Sequence, residues 1–422
     1  MHGIKAGVAK IIPAPFYNGL LSTYHYVLAF LAALWYGHPA RHMLVIGVTG
    51  TKGKTSVTEM VSAILEEAGY TTCVMNSIRF KTSNSSEVNG TRMSMPGRFF
   101  IQSFLRAALK AGCTAAVLEM TSEGARQHRH RFLDLDALVF TNLAPEHIES
   151  HGSYENYADA KRAIGQELVR SKKRPRIIVA NADDKESPRY LTLPVEHALP
   201  FSLSANMPAA ASEMGGYFTF DAANVTTPLP GEFSLKNALA AATVTRALGI
   251  PTPTIAVALK KLSVIPGRAE RIELGQSFTV VVDYAHTPDS LTALYESYGG
   301  KKICVLSATG GGRDAWKRPV MGAIAEKKCG EIILTDEDPY DEDPQQIVDD
   351  IAHGMKKKPE IILDRRAAIR RALEIASTGD AVLITGKGTN HSISVAGGKE
   401  IPWDDASVVR EELSSVLKAR AV

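Results

Sequence analysis

One segment constrains the fold more than any other part of the chain: residues 44–58, which read LVIGVTGTKGKTSVT. A short apolar run enters a loop rich in Gly and Thr, and an amphipathic helical pattern follows from Val57 to Ala68. This order of strand, glycine-rich loop and helix predicts a phosphate-binding loop, in which Lys54 reaches the terminal phosphates and Thr55 ligates Mg²⁺. The partial positive charge of the helix N-terminus favours the same anions.

The loop reads T-G-T-x-G-K-[ST] and departs from the generic phosphate-binding pattern at Val48, where that pattern has a glycine. A Gly/Thr turn that contains a lysine by chance is the alternative. Because a strand-like run precedes the loop and a helical pattern follows it, we expect the loop to bind nucleotide phosphates. Its candidate nucleotide-binding residues are Gly50, Thr51, Lys52, Gly53, Lys54, Thr55 and Ser56.

Beyond the loop, short apolar runs alternate with helical patterns almost to the end of the chain. This alternation is typical of a parallel sheet covered by helices. We predict an α/β protein with a short N-terminal segment (1–42), a central parallel-sheet, P-loop ATPase-like domain (43–265) and a C-terminal Rossmann-like α/β domain (266–422). Residues 190–232 are richer in short β-like pieces and turns, which predicts a small antiparallel flap there.

Composition excludes some classes of partner. The chain has 422 residues and a net charge of +3, which is too small to indicate nucleic acid or an anionic membrane surface, although a local patch could bind an anionic substrate. Four cysteines lie far apart without a CxxC, which favours buried thiols in a reducing cytoplasm over disulfides or zinc. The apolar stretch 26–36 is too short to span a bilayer, and a buried helix is favoured over a membrane-grazing one. We expect a cytoplasmic protein with small-molecule partners.

Two further stretches place polar side chains where apolar strands end. In VLEMTSE, Glu119 follows a strand, and a carboxylate at the carboxyl end of a parallel strand can hold Mg²⁺ together with Thr55 and phosphate oxygens. In VFTNLAPEHIESHGSYENYADAK, His147 and His151 follow a strand and Lys161 lies in the next helix. A surface glutamate, structural histidines and an exposed lysine are the alternatives.

The run TNLAPEHIESHGSYENYADAK resembles the TNLxxDHLDxHGxxxxYxxAK signature of the Mur ligases, and most of all that of the MurE branch. Further segments resemble motifs of that branch in the same order: EMTSEGARQHR, FSLKNALAA, VIPGRAERI, VVVDYAHTPDSL, GGGRDAWKRPVMG and ITGKG. The phosphate loop is also similar to that of Mur ligases and folylpolyglutamate synthetases. The resemblance spans about residues 43–390, and so many ordered motifs argue against chance or a generic nucleoside triphosphatase.

The resemblance implies roles for the residues at matching positions. Lys54, Lys161, His147 and Glu119 match the catalytic residues of the family. Thr55, Glu119 and His147 match its Mg²⁺ ligands, and Lys161 matches a lysine carried as a carbamate, which helps to hold the second of two Mg²⁺ ions. The implied nucleotide contacts are Asn237, Arg268 and Asp283, and the implied substrate contacts are Ser122, Arg129 and His286.

The reaction implied by the resemblance is ATP-dependent amide-bond formation in peptidoglycan biosynthesis. The γ-phosphoryl group passes to the carboxylate of a muramyl-peptide acceptor, and the amine of an incoming amino acid displaces phosphate from the acyl phosphate. Two alternatives stay open. One is a Mur-like ligase for a lipid-linked, cyanophycin or polyglutamate acceptor, and the other is a non-catalytic nucleotide-binding protein. The resemblance also implies a monomer.

The sequence departs from the family pattern in three places. About 42 residues precede the first strand, where the family has a UDP-binding domain of about a hundred. The acceptor-side turn reads MSMPGRFF, in which Arg98 is a candidate phosphate or carboxylate contact. In the amino-acid selector, Tyr340 replaces an arginine and Asn390 a glutamate, so both expected contacts to the distal end of diaminopimelate are missing. The acidic run 336–344 suits a cationic side chain such as lysine, or else forms a solvated loop. Its candidate substrate contacts are Asp336, Asp338 and Tyr340, together with Lys387 of the ITGKG segment.

Overall fold

A computed structural model of the chain describes residues 14–146 and 148–420. These residues form two compact units. Unit 1 comprises residues 14–144, 153–202 and 240–251, and unit 2 comprises the remaining described residues. The domain boundaries expected at residues 43 and 266 stay a prediction.

Unit 1 is built on a mixed, mostly parallel sheet of eight described strands in the order β4-β3-β2-β5-β1-β6-β7-β8. Every neighbouring pair along β2-β5-β1-β6-β7-β8 is parallel. At one edge, β3 pairs antiparallel with β2, and β4 pairs antiparallel with β3. The strands are β1 (Leu44–Thr49), β2 (Thr72–Met75), β3 (Arg79–Thr82), β4 (Ser85–Val88), β5 (Ala115–Met120), β6 (Ala137–Phe140), β7 (Ile177–Asn181) and β8 (His197–Phe201).

Strand β1 lies between β5 and β6, with Thr49 opposite both Met120 and Phe140. The three strands are buried along almost their whole length, as expected for a parallel sheet covered on both faces. Their carboxyl ends therefore meet at one edge, which is where open α/β sheets bind ligands.

The described helices of unit 1 surround this sheet. Helix α6 begins after the N-cap Ser153, whose hydroxyl accepts a hydrogen bond from the N–H of Asn156. The helices are α1 (Ala14–Trp35), α2 (Lys54–Glu67), α3 (Arg98–Lys110), α4 (Ser122–Arg126), α6 (Tyr154–Arg170) and α7 (Pro188–Leu191), while α5 (Ile148–His151) belongs to unit 2.

Helix α1 contains the apolar stretch for which a buried helix was the favoured prediction, and that prediction is wrong. Ala29, Ala32 and Ala33 are buried, but Leu34 is 56% and Trp35 79% exposed. The alanine-rich side of the helix packs against α3, and Tyr26 and Phe30 contact Phe132 beside it while they stay 43% and 44% exposed. No helix among the described residues is long and apolar enough to cross a membrane.

Unit 2 contains a second α/β sheet in the order β12-β13-β17-β14-β15-β16, parallel except for the short edge strand β12. Its strands are β12 (Glu270–Arg271), β13 (Thr279–Asp283), β14 (Lys302–Leu306), β15 (Glu331–Leu334), β16 (Glu360–Ile361) and β17 (Ala381–Thr385). Its helices are α9 (Thr252–Lys261), α10 (Pro288–Glu296), α11 (Lys317–Lys328), α12 (Pro344–Ala352), α13 (Arg365–Ile375) and α14 (Asp405–Arg420), and α8 (Glu232–Ala247) contributes to both units.

The central strands of this sheet separate two hydrophobic clusters. In β13, Val280 and Val282 face one cluster and Val281 faces the other, and Ile303 and Cys304 of β14 divide in the same way. This period of two follows from the alternation of side chains across a strand. The α/β prediction is therefore confirmed in both units.

The predicted antiparallel flap is also confirmed. Strands β9 (Ala209–Ser212), β10 (Gly215–Phe220) and β11 (Ala223–Thr227) form a three-stranded antiparallel sheet. A further hairpin pairs β18 (Ser392–Val395) with β19 (Lys399–Pro402).

The cysteines differ from the expectation of four buried thiols. Cys73 and Cys113 are free and buried, but Cys304 and Cys329 form a disulfide across 25 residues of sequence. Cys304 lies in β14 and Cys329 directly follows α11, so the fold brings together two residues whose sequence spacing gave no signal of pairing.

Candidate active site

The loop between β1 and α2 passes very close to the end of β6. Gly50 has a φ of +145°, and a Cβ at this position would lie 2.0 Å from the hydroxyl oxygen of Thr141. Any larger residue would therefore push the loop away from the sheet. The first glycine of the predicted phosphate loop is thus required by close packing against β6.

Two residues after β6 hold the loop in place. The backbone N–H of Thr51 donates to the carbonyl oxygen of Asn142 (2.8 Å), and the N–H of Lys52 donates to the Asn142 side-chain oxygen (2.9 Å). The Thr141 hydroxyl donates to the carbonyl oxygen of Lys52 (2.6 Å). The TN pair that opens the TNLAPEH segment is therefore the rigid support of the loop.

Helix α2 presents its N-terminus to this loop. Its N-cap is Gly53, in the left-handed conformation (φ 83°), and no side chain caps the first turn at that residue. The Nζ of Lys54 donates to the carbonyl oxygen of Thr51 (2.8 Å), which folds the lysine back over the loop. Ser56 lies half-buried in the first turn. An amine and a helix N-terminus converging on one loop match the requirements of a polyphosphate.

Glu119 lies next to Thr55, as the sequence predicted for two ligands of one metal ion. Its Oε2 accepts hydrogen bonds from the Thr55 hydroxyl (2.8 Å) and from the N–H of Ser77 (3.1 Å). Its Oε1 accepts a hydrogen bond from the Ser94 hydroxyl (2.8 Å). Glu119 is only 3% exposed, so the surface-turn alternative is wrong.

Lys161 reaches the same loop from α6. Its Nζ donates to the carbonyl oxygen of Gly50 (2.6 Å) and lies 5.0 Å from the centre of the Tyr157 ring. Lys161 is 2% exposed, so the alternative of an exposed helical lysine is wrong. The Tyr157 hydroxyl in turn shares a hydrogen bond with the hydroxyl of Thr51 (2.9 Å).

The donor set suits a magnesium ion. A threonine hydroxyl and a carboxylate in direct contact are the hard oxygen ligands that Mg²⁺ prefers, and they lie where a phosphate loop needs them. His147 lies outside the described residues. Within the described part of the chain, no group of three or more His, Cys, Asp or Glu residues is arranged to hold a metal ion. Phosphate oxygens and water would have to complete the coordination.

The predicted acceptor-side residues lie together in unit 1. The Arg98 Nε donates to the carbonyl oxygen of Gln127 (2.9 Å), and Arg129 donates to the side-chain oxygen of the same residue (2.7 Å). Burial and the neighbouring Arg129 lower the pKa of Arg98, and burial lowers the pKa of Arg129. Two guanidinium groups close together in a partly buried region favour an anion. Ser122 is buried at the start of α4.

In unit 2, the DYAHTP turn follows β13. The Asp283 carboxylate accepts hydrogen bonds from the N–H groups of Ala269 (2.6 Å) and Ala285 (2.7 Å), and so it shapes the turn. The Arg268 guanidinium stacks on the Tyr284 ring at 4.4 Å. His286 contacts a carboxylate oxygen of Glu146 through Nε2 (2.9 Å). Asn237 is a buried residue of α8.

The acidic run is not a simple solvated loop. Asp338 is buried and accepts two hydrogen bonds from Lys387 Nζ (2.8 and 2.9 Å), and Lys387 is fully buried. Asp336 is half-buried, and burial raises its pKa. Tyr340 has a φ of +54°, and its hydroxyl accepts a hydrogen bond from Arg313 (3.1 Å). Asp338 and Lys387 thus neutralise one another inside unit 2.

Several residues of the site had not been predicted from the sequence. Ser77 and Ser94 bind the Glu119 carboxylate, and Tyr157 connects α6 to the loop. Ser94 lies in the MSMPGRFF turn, and Tyr157 at the tyrosine of the YxxAK part of the signature, so both were within segments that the sequence had marked. Ser77 follows β2 without any motif, and only the fold reveals it.

Comparison with known proteins gives a consistent result. The profile of the Mur ligase middle domain matches residues 48–245, and that of the Mur ligase glutamate ligase domain matches residues 267–388. A UDP-N-acetylmuramyl-tripeptide synthetase of Roseiflexus sp. (strain RS-1) is 38% identical, over 92% of this chain and 82% of that protein. A UDP-N-acetylmuramoyl-L-alanyl-D-glutamate–2,6-diaminopimelate ligase of Thermosynechococcus vestitus is 35% identical, over 92% and 80%.

Solved structures show the same relationship. A UDP-N-acetylmuramoyl-L-alanyl-D-glutamate–2,6-diaminopimelate ligase superposes with a TM-score of 0.60 at 29% identity, over 88% of this chain and 78% of that one. A folylpolyglutamate synthase of Mycobacterium tuberculosis has a TM-score of 0.67 at 18% identity, over 86% and 92%, which shows a shared fold. The ordered motifs, the two domain profiles and the relatives, which are matched over about four fifths of their length, agree. The chain belongs to the Mur ligase family, and it is a MurE-like, ATP-dependent ligase.

Proposed function

We propose that this chain joins an amino acid to the carboxylate of a muramyl-peptide precursor of peptidoglycan, through an acyl-phosphate intermediate. The family and its MurE-like relatives support a muramyl-peptide ligase in general. One observation carries the proposal: the phosphate loop has Thr55 and Glu119 in direct contact, with Lys161 buried against Gly50. These are the groups needed to bring a phosphoryl donor and a carboxylate together.

The residues of unit 1 would first neutralise the negative charge of the ATP phosphates. Lys54 and the N-terminus of α2 would bind the terminal phosphates of ATP, and Thr55 and Glu119 would hold Mg²⁺, with His147 as a further ligand. When bound, Mg²⁺ would neutralise part of the phosphate charge. An acceptor carboxylate oxygen then attacks the γ-phosphorus, the bond to ADP breaks, and an acyl phosphate forms. Positioning and neutralisation of two anions account for this step.

The second step forms the amide bond. The amine nitrogen of the incoming amino acid attacks the acyl carbon, loses a proton, and inorganic phosphate leaves from the tetrahedral intermediate. Ser122, Arg98 and Arg129 are our candidates for binding the acceptor, because the two guanidinium groups lie together at the start of α3 and beyond α4. Asn237, Arg268, Asp283 and His286 are our candidates for contacts to nucleotide and substrate in unit 2.

Lys161 would take part as a carbamate. Its amine nitrogen would attack the carbon of CO₂ and release one proton, which turns a cation into an anion that helps to hold a second Mg²⁺. The position of Lys161 supports this role, because the side chain is buried against the carbonyl oxygen of Gly50 in the phosphate loop, where an anion could hold a metal ion beside the phosphates.

For the incoming amino acid, we propose a cationic side chain, with L-lysine preferred to meso-diaminopimelate. Tyr340 stands where diaminopimelate-adding enzymes have arginine, and it carries no charge for a distal carboxylate. Asp338 is already paired with Lys387. We therefore propose that Asp336, in the acidic run 336–344, binds the side-chain amine of the incoming amino acid.

The decisive experiment measures ATP-dependent phosphate release with a soluble UDP-muramyl-dipeptide and a panel of amino acids. We expect turnover with L-lysine at least ten times faster than with meso-diaminopimelate. Turnover only with diaminopimelate would disprove the amino-acid assignment and keep the ligase. Silence with every UDP-linked acceptor, but turnover with a lipid-linked or polyglutamate acceptor, would instead overturn the acceptor assignment.

Two properties complete the proposal. We place the reaction in the cytoplasm, where ATP and the amino acids are available, and we propose that the chain acts as a monomer. Sedimentation velocity at micromolar concentration tests the second statement.

A further inference from the structure

Helix α1 has two opposite apolar sides, and only one of them is covered. The packed side is formed by Ala29, Ala32 and Ala33. We call the opposite side the outer face; it consists of six exposed large apolar residues at helical spacing. These residues are Leu20 (61% exposed), Tyr24 (56%), Val27 (45%), Leu31 (44%), Leu34 (56%) and Trp35 (79%).

The spacing of these residues makes the outer face continuous. Steps of three and four residues from Leu20 to Leu34 keep them on one stripe along the whole helix. Phe99 and Phe100, in the first turn of the adjacent helix α3, are also exposed (42% and 38%). A helix that is apolar on both sides normally has both sides buried, so the exposed outer face indicates a surface that binds a partner.

The charges around the outer face indicate which occupant. The first acidic residue of the chain is Glu59, so α1 and the 3₁₀ turn after it contain no carboxylate. Helix α3 also has none, while its Arg106 and Lys110 are exposed; Arg41 of the 3₁₀ turn is exposed too, but it is paired with Asp134 (3.2 Å). The described residues 14–43 and 98–110 together carry four Lys or Arg and no Asp or Glu, although the whole chain has a net charge of only +3. The exposed side of α3 beside the outer face is therefore locally basic, through Arg106 and Lys110.

From this geometry we propose that the outer face of α1 docks on the surface of an anionic lipid bilayer. Large aliphatic and aromatic side chains, Trp and Tyr among them, enter the boundary between headgroups and acyl chains. The basic side chains beside them attract anionic headgroups. The helix lies in the surface and does not span it, because its alanine side is already packed within unit 1.

A second copy of the chain fits this face less well. Two outer faces in contact would bring two sets of Arg106 and Lys110 together without any carboxylate from α1 or α3, and like charges repel. A bilayer with anionic lipids supplies both the apolar phase and the opposite charge.

Docking here would bring a membrane close to the acceptor-side residues. His25 of α1 contacts the guanidinium of Arg98 (2.5 Å), so the outer face lies about one helix diameter, roughly 10 Å, from Arg98. Any use of this proximity for an anchored acceptor rests on the proposed function, whereas the docking itself does not.

The test is flotation of the full chain with large unilamellar vesicles. Vesicles of phosphatidylethanolamine with 30% phosphatidylglycerol, as the chosen probe, are compared with vesicles of phosphatidylcholine alone. We expect binding to the anionic vesicles to be at least tenfold tighter, and to weaken as salt is raised. The triple variant Val27→Ser/Leu31→Ser/Trp35→Ser should lose at least tenfold of that binding.

A matched control removes three equally exposed apolar residues of unit 2: Met207→Ser/Met214→Ser/Ile401→Ser. It should bind vesicles as the unchanged chain does. Circular dichroism shows whether each variant is folded. Absent ligase turnover of the unchanged chain with a soluble acceptor, together with retained vesicle binding, would count against the proposed function alone. Absent vesicle binding, equal binding by the α1 triple variant, or a dimer that this variant dissociates would overturn the docking proposal.

Discussion

Glu119 connects three separate parts of unit 1 through one carboxylate. It accepts hydrogen bonds from Thr55 of α2, from Ser77 after β2 and from Ser94 before α3. Because the residue is buried, this arrangement fixes the carboxylate beside the phosphate loop before any ligand binds. At the scale of single residues, the site is therefore preorganised by hydrogen bonds that the fold supplies.

Lys161 provides a direct test of the proposed chemistry. We expect Lys161→Ala to lower turnover at least 100-fold, because the variant has no amine to form the carbamate. Lys172→Ala, which changes an exposed lysine just beyond the same helix, should have wild-type turnover. The measurement is ATP-dependent phosphate release. Unchanged turnover of Lys161→Ala without added bicarbonate or chloride would rule out the carbamate.

His130 makes stability depend on pH. Burial, and then the charge of Arg131, lower the pKa of His130 from 6.5 to about 3, and neither ring nitrogen has a hydrogen-bond partner among the described residues. The unfolded chain binds this proton more readily, so stability is complete above about pH 6.5 and falls as the pH drops towards 3.

The expected loss for His130 is about 2 kcal/mol between pH 7 and pH 5. Urea unfolding at the two pH values measures it. His130→Leu, which has no titrating ring, should reduce the difference by that amount. A pH dependence unchanged by the substitution would show that His130 is not its source.

At the scale of elements, a buried ion pair joins α13 to α14. Arg365 donates to both carboxylate oxygens of Asp405 (2.8 and 2.7 Å), and the two side chains are 1% and 0% exposed. Arg365 also donates to the carbonyl oxygen of Thr385 at the end of β17 (2.9 Å). One guanidinium thus fixes two helices to the sheet of unit 2.

We expect Arg365→Met to destabilise unit 2 by about 3–5 kcal/mol, because the Asp405 carboxylate would stay buried without its cationic partner and keep only the hydrogen bond from the Trp403 indole. The matched control is Arg371→Gln on the same helix, which breaks an exposed pair with Glu360 and should cost less than about 1 kcal/mol. Urea unfolding followed by fluorescence compares the two variants. Equal effects would mean that burial of the Arg365 pair contributes little.

The elements were largely predictable from the sequence because their apolar periods are strong. The antiparallel flap lies within the predicted residues 190–232, and the start of α2 was misplaced by three residues, since the loop lysine belongs to the helix. Helix α1 was misjudged because its composition is that of a buried helix on every side. The spacing of apolar residues shows which sides of a helix are apolar, but not which of those sides pack against other elements.

At the scale of the whole molecule, nucleotide binding should appear as added stability. A ligand that binds only the folded chain stabilises it by about 2.7 kcal/mol at a concentration of one hundred times its Kd. We therefore expect MgATP to raise the Tm by several degrees in a thermal shift assay.

Lys54→Ala should abolish most of that shift, because the variant lacks the amine folded over the loop. Lys172→Ala is the control and should keep the full shift. An equal shift for both variants would mean that Lys54 does not contribute to nucleotide affinity.

The sequence by itself determined the fold class, the phosphate loop and the family, because each depends on short segments whose order and spacing are read along the chain. Only the tertiary structure decided which side chains meet. It placed Ser77 and Ser94 on Glu119, paired Asp338 with Lys387, joined Cys304 to Cys329 and left one side of α1 exposed. These outcomes depend on contacts between residues distant in sequence, and local composition carries no record of such contacts.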